Sequence, residues 1–431
     1  MNKTHRILLA LFAAVFLASA VAAEEIPIRI SWWGGTARQE GTLKAIQLFE
    51  SRNPGVSFKS EYMGWTGYLE RLTVQMGANT EPDIMLVDWA WLNMFSSDGN
   101  GFYDIYQLKD SFNLGEYADN LLDMGTVKGK LNAIPLGVGA QIVIWNKTMW
   151  DKAGLTPPTT WADLLASGEK VVEKLGPEYR SMDTNSDLRI YMTHAYIFQK
   201  TGKQFLDPEK PEVALTRDEL VEWTRFHQQL MSSKTYPDLP YRSSVAGGDT
   251  RKQNQELEEF ISGKWMGANC WDASIRLYLS NFGKDNAFTF TLGEFPTMPD
   301  MKSSGRVARP NMMFAISKNS KHPEIAAKFL DFILCTEEGV EIMEDIYGVL
   351  PSNIAFKTQI DNKLISELNR QASEQIRNAD THLPSPYFEH PRMLEMMRTV
   401  FEELQFDKIT PEEAADTLLR EGNRLVARLA R

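Results

Sequence analysis

Apolar residues recur along this chain in two rhythms, the two-residue period of strands and the three-to-four-residue period of helices. Ile26-Pro27-Ile28-Arg29-Ile30-Ser31-Trp32-Trp33 reads as a strand that stops at Gly34-Gly35. A helix follows with Ala37, Leu43, Ile46, Leu48 and Phe49 on its apolar face. It ends at Asn53-Pro54-Gly55, because proline disfavours helix in the residue before it. A short strand leads into a second helix with Leu69, Leu72 and Met76 at helical spacing. Glu81-Pro82-Asp83 then breaks the chain, and Ile84-Met85-Leu86-Val87 reads as a buried parallel strand. Strand, helix, strand, helix, strand describes a doubly wound α/β unit. Residues 129–146 are two extended runs joined at Gly137-Val138-Gly139, glycines that suit a chain crossing between lobes. Further helices are expected over 151–175, with Thr160 capping the turn into Trp161, and over 214–232 and 251–262. Strands are expected over 288–299 and 312–316, then one periodic helix over 323–343 capped from Ser320-Lys321-His322, and a mostly helical final third.

The start of the chain changes the picture of where this body works. Lys3, His5 and Arg6 precede an apolar run from Ile7 to Ala18, and Ala20-Val21-Ala22 supplies the small residues of a cleavage site. Residues 1–23 therefore read as a cleaved signal peptide, and the remainder as an exported, soluble, periplasmic protein. Removing Lys3 and Arg6 takes the formal charge from −11 to −13. An acidic body argues against nucleic acid as a partner, because phosphate binding needs a basic surface. Two cysteines, Cys270 and Cys335, make no disulfide framework. Both sit in apolar surroundings, and two buried thiols or one bridge remain open at this point.

The strand ending at Val87 runs into Asp88-Trp89-Ala90-Trp91. Ligands of open α/β sheets collect at the carboxyl ends of strands, and two tryptophans with an acid suit a molecule with flat apolar faces and hydroxyls. A sugar fits. Five of the eleven tryptophans lie between positions 32 and 91. Trp32 and Trp33 end the first strand, where alternation points one to the core and one to the cleft edge. Trp65 serves equally as a ligand contact or a helix staple. Trp271-Asp272 occupies a second strand end, whereas Trp145, Trp161, Trp223 and Trp265 read as packing residues.

Four segments together resemble a known family, in order and over nearly all of the mature chain: residues 49–88, 129–165, 260–276 and 316–353. The chain resembles an extracellular solute-binding protein of a bacterial ABC sugar importer. Ser31-Trp32-Trp33-Gly34-Gly35, Asp88-Trp89-Ala90-Trp91 and Arg309-Pro310-Asn311-Met312-Met313 bring it nearest the pectic oligogalacturonide binders. The resemblance implies an α/β periplasmic-binding-protein fold of two lobes, each a doubly wound sheet, with the ligand cleft between them. The lobes expected are 24–138 with 312–349 and 139–311 with 350–431, crossing at 137–140, before Met312 and at Leu350-Pro351. It also implies a monomer that hands an oligosaccharide to an ABC permease in the inner membrane, without cofactor or metal. A galacturonide carries carboxylates, which an acidic protein must hold with arginine or lysine, ideally a bidentate arginine, or with helix N-terminal amides. Arg309 leads these candidates, with Arg306, Arg276, Arg189 and Arg38 behind it. Gln141 beside the crossing is a hydroxyl partner, and Asn311 completes the expected contacts with Trp32, Trp33, Asp88, Trp89, Trp91, Trp271 and Asp272.

A secreted glycan-active enzyme is the rival class, and a receptor for a neutral oligosaccharide or polyol the rival within the family. Glycoside hydrolysis needs only a carboxyl pair about 5 to 9.5 Å apart, which a sequence with 57 acids does not exclude. There is no G-x-S-x-G, H-E-x-x-H, P-loop or G-x-G-x-x-G, and the histidines lack metal-ligand spacing. Asp183-Thr184-Asn185-Ser186-Asp187 starts like a calcium loop, but Leu188 and His194 stand where glycine and glutamate are needed. No catalytic residue is assigned.

Overall fold

The computed structural model describes residues 25–208, 210–280, 288–377 and 379–430. The expected signal peptide lies outside them. Among the described residues nine strands build two sheets. They are β1 (Ile26–Trp33), β2 (Val56–Met63), β3 (Ile84–Val87), β4 (Ala133–Pro135), β5 (Val138–Asn146), β6 (Gly267–Trp271), β7 (Phe290–Gly293), β8 (Ala308–Pro310) and β9 (Met313–Ile316). The first sheet runs β2-β1-β3-β9-β4. β1 is parallel to β2 and β3, and β9 enters antiparallel between β3 and β4. Its centre is apolar on both faces, as the Ile84–Val87 run requires: all four residues are fully buried. The helices Thr36–Arg52 and Pro323–Cys335 pack on it through Ile46, Phe49, Phe329 and Ile333.

The second sheet runs β8-β5-β6, with β7 also paired to β5. Its ladders are all antiparallel rather than parallel as in a doubly wound unit. Chain direction explains the inner pair. The chain leaves the first sheet into β5 at Val138 and comes back along β8 to Pro310, and these residues lie opposite each other in register. Two strands that carry one chain out and back side by side must oppose. The third passage falls later than expected. Leu350 and Ala355 are buried in the first core with Ile354 and Leu364 against it, whereas Leu368, Ala372 and Ile376 pack on the second sheet. The apolar stripe of Asn353–Asp361, not the Leu350-Pro351 turn, decides where the chain changes lobes.

Local signals placed most helix starts. The Thr160 hydroxyl accepts the Asp163 N–H at the head of Trp161–Leu175. The expected helix over 323–343 is two, Pro323–Cys335 and Glu337–Met343, because Thr336 turns extended and caps the second on the Gly339 N–H. His322 precedes the first without a side-chain cap. The stretch at Asp183 is anchored by charge. Its carboxylate bridges Arg189 Nη2 at 2.7 Å and Arg242 Nε at 2.8 Å, and all three side chains are fully enclosed. Asn185 caps the Ser186–Thr201 helix. Arg189 is therefore a structural cation, not a ligand contact. Both cysteines are free and buried, and burial pushes both thiols up. Among the described residues no helix is long and apolar enough to cross a membrane.

Candidate ligand-binding site

The carboxyl ends of β1 and β3 carry an aromatic platform. Trp33 meets Trp65, Tyr68 and Trp91 with ring centroids 5.1–5.3 Å apart, and Trp65 stacks on Trp91 at 5.4 Å. Trp33 and Trp91 are buried while Trp65 is 51% exposed, so the cluster offers a flat indole to solvent on a rigid base. Arg38 lies beside this platform. It donates from Nη1 to the Trp33 carbonyl at 3.0 Å and from Nε to the Ile346 carbonyl at 2.8 Å, and its guanidinium stands 4.7 Å from the Tyr347 ring. Gly34 makes room for the stem: a Cβ there, at φ +153°, would come within 2.6 Å of Arg38 Cδ. Among the described residues no carboxylate pairs with Arg38, and burial lowers its pKa. Such a cation lacks the compensation that a buried charge normally has.

An ion triad joins the two lobes. Arg309 of β8 pairs with Glu389 of the second lobe and lies 3.7 Å from Asp88 of the first. Its guanidinium covers the Trp271 ring at 4.4 Å, and Nη1 donates to the Pro310 carbonyl at 2.8 Å. Burial raises the Asp88 carboxyl to about 6; Arg309 pulls it down and Glu389 pushes it up. Asp88 also caps the Trp89–Phe95 helix through the Ala90 N–H. Arg309→Met strands two buried acids, so it is expected to cost roughly 3–5 kcal/mol of stability. Urea unfolding of Arg309→Met beside Arg309→Met/Glu389→Gln checks this: the double variant should recover part of the loss, and a loss below about 1 kcal/mol refutes the triad's role. A second contact between lobes lies at Asp345, which takes Arg276 and, at 3.3 Å, the Asn369 amide.

The crossing strands meet at a third polar point. Asn311 Nδ2 donates to Asp272 Oδ1 at 3.2 Å, and a Cβ on Gly139 would fall within 1.9–2.4 Å of both side chains. Only glycine lets β5 pass there. Burial lifts the Asp272 carboxyl from 3.8 to about 6, with the Asn311 amide and the Ala273 and Ala140 N–H groups opposing. The folded state thus holds a proton that the unfolded chain has already lost. Stability should fall as pH rises from about 4 to about 6, and Asp88 adds a decline of the same sign. Asp272→Asn should remove its share of that decline in urea midpoints taken across the window, and an unchanged slope clears Asp272 as a source.

The sequence pattern of the bacterial extracellular solute-binding proteins matches residues 44–363. This chain belongs to that family. A periplasmic oligogalacturonide-binding protein from Yersinia enterocolitica, solved with saturated digalacturonic acid, is similar in structure at a TM-score of 0.90 and 31% identity, covering 94% of this chain and 100% of that one. A periplasmic solute-binding protein from Pectobacterium atrosepticum matches at 0.88 and 36%, with the same coverage. The maltodextrin-binding protein MdxE of Bacillus subtilis is 24% identical over 81% of this chain and 78% of its own length. The resemblance to oligogalacturonide binders and the two-lobed α/β fold are both supported by these likenesses.

Within this solute-binding protein the expected contacts divide. Asp88, Trp271, Asp272, Arg309 and Asn311 gather where the lobes meet, and Trp33 and Trp91 lie in the aromatic platform of the first lobe. Trp32 does not: it is fully enclosed, 5.1 Å from Tyr62. Strand alternation sends one of the two neighbours inward. Trp89 is buried with its indole N–H on the Met124 carbonyl at 3.1 Å, which makes it a strut of the helix it begins. Gln141 is buried on β5 opposite Trp271. Arg276 is committed to Asp345. Trp145, Trp161, Trp223 and Trp265 are core. Sequence reasoning missed Glu389, Tyr68 and Tyr191, whose ring meets Trp271 edge-on at 5.7 Å. Tyr68 carried a signal in its place at the start of a helix after Trp65; Glu389 and Tyr191 arrive from remote segments and carried none.

Proposed function

We propose that this protein is a periplasmic receptor that captures short acidic oligosaccharides, oligogalacturonides by preference, and delivers them unaltered to an ABC permease. The single observation that carries the acidic reading is Arg38. In a chain with 57 acids and 46 lysines and arginines, a half-buried guanidinium beside an indole platform has no carboxylate partner among the described residues. A sugar face stacks on the exposed indole of Trp65 while its carboxylate meets Arg38. The Yersinia likeness supports the same ligand class. Asp88 and Glu389 are bound to one arginine, which argues for bridging rather than acid–base work. The protein acts as a monomer. The described residues of 25–137 with 311–365 form one moving lobe, and those of 138–310 with 366–430 the other. Ligand stabilises the closed form, and the permease reads that form.

Tryptophan fluorescence of ligand-stripped protein, titrated with digalacturonic acid and separately with maltose, tests the reading. Saturable binding of the acid alone is the expected result. Binding of maltose alone overturns the acidic class and favours the neutral-sugar reading that MdxE suggests. Release of shorter products on incubation would overturn the receptor reading. Superimposable X-ray scattering of free and loaded protein would overturn closure.

A further inference from the structure

Behind Trp271, inside the second lobe, lies a chamber of about 10 Å³ bounded by Gln141, Tyr191, His194, Phe295 and Arg306. It has room for one water-sized atom. Two of its polar groups are donors without a partner. Gln141 Nε2 and Arg306 Nε are buried and have no partner in the structure. These two side chains are 6% and 8% exposed. Arg306 spends Nη2 on the Gln141 carbonyl at 3.2 Å and stands 5.5 Å from the Phe295 ring. No carboxylate among the described residues forms an ion pair with it; Asp272 and Glu294 act on it only from a distance. His194 Nε2 accepts the Phe205 N–H at 2.9 Å, so the proton of its neutral ring sits on Nδ1. Burial lowers the His194 pKa to about 3, so the ring stays neutral.

A water molecule accepts two hydrogen bonds and must place two protons of its own. Two buried donors without a partner, one of them on a cation that no carboxylate among the described residues pairs with, suit an acceptor that carries negative charge. We propose that the chamber is an anion site that takes one oxygen of a carboxylate, supplied by the bound oligosaccharide. The source of the carboxylate rests on the acidic-ligand reading above; the anion site itself does not. Gln141 is the cross-strand partner of Trp271, so the chamber adjoins the face where the ligand would lie. It would hold a second acidic group, apart from the one on Arg38.

Gln141→Met and Arg306→Met test it, with digalacturonic acid, its neutral counterpart digalactose, and formate as probes of the full-length mature protein. Gln141→Met keeps the shape and loses the donor, which covers the case in which Arg306→Met fails to fold. Each variant is expected to bind digalacturonic acid at least about tenfold more weakly and digalactose unchanged. Formate should compete with digalacturonic acid in the unaltered protein and not in the variants. Equal weakening of both sugars overturns the site, and so does weakening of neither when formate still binds the variants. Formate binding that the variants abolish while digalacturonic acid binds them normally overturns the sugar as the source. If the unaltered protein binds no digalacturonic acid, the acidic-ligand reading fails by itself. Formate then decides the chamber: binding lost in Gln141→Met upholds the anion site, and no binding rejects it.

Discussion

Replacing Asp183 by alanine is expected to lower stability by about 3–5 kcal/mol, the usual cost of removing one partner from a buried ion pair. Asp183, Arg189 and Arg242 are fully enclosed, and one carboxylate neutralises part of two guanidiniums. Without it Arg189 keeps the Gln405 amide and the Pro237 and Thr184 carbonyls, and Arg242 keeps the Thr250 and Lys252 carbonyls and Asn254. Those neutral acceptors do not replace a counter-charge. The triad ties the Ser186–Thr201 helix to the Leu239–Val245 helix, and through Gln405 to the Pro391–Gln405 helix. Its loss should therefore loosen the second lobe while the first keeps its own core. Urea unfolding followed by circular dichroism, with hydrogen exchange to separate the lobes, reads the result. A stability change below about 1 kcal/mol, or protection lost equally in both lobes, would contradict the triad's place.

Arg38→Met should weaken binding of digalacturonic acid by about ten- to a hundredfold, since a hydrogen bond to a charged group is worth about 1.5–3 kcal/mol. A neutral disaccharide should bind as before, because the tryptophan platform does not depend on the charge. Methionine keeps most of the stem that fills the space beside Gly34, and Arg38→Lys keeps the charge but not the planar fork. Lysine should fall between the two. The bonds from Arg38 to the Trp33 and Ile346 carbonyls also hold the strand end in place, so the neutral sugar is the control for that structural part. If both sugars weaken together, Arg38 is a strut; if neither does, the carboxylate is held elsewhere.

These experiments bear on parts of the molecule that differ in how far the chain announces them. β1, β3 and the helix between Thr36 and Arg52 follow from periodicity and breakers, because each buries a face defined by neighbours close in sequence. The tryptophan platform was legible for a related reason: Trp33 ends β1, Trp91 sits in the first turn of the helix that follows β3, and strand ends of an α/β sheet are where ligands collect. Asn311 and Asp272 were visible as polar residues beside strands that cross between lobes. The split at Thr336 was harder, since the apolar period continues through it and only the hydroxyl's capping bond shows the break.

The sequence by itself determined the α/β class, the buried central strands, the strand-end aromatics and the family. These depend on local pattern, on residue type, or on motifs in fixed order. Only the tertiary structure decided which of Trp32 and Trp33 is enclosed in the core and which joins the aromatic platform. The same is true of the fate of the arginines: Arg309 bridges Asp88 and Glu389, Arg189 and Arg242 share Asp183, Arg276 takes Asp345, and Arg38 and Arg306 pair with no carboxylate among the described residues. Charge is a property of a residue, but compensation belongs to a pair. The partners here lie from 6 to more than 200 positions apart, so only the folded chain brings them within reach.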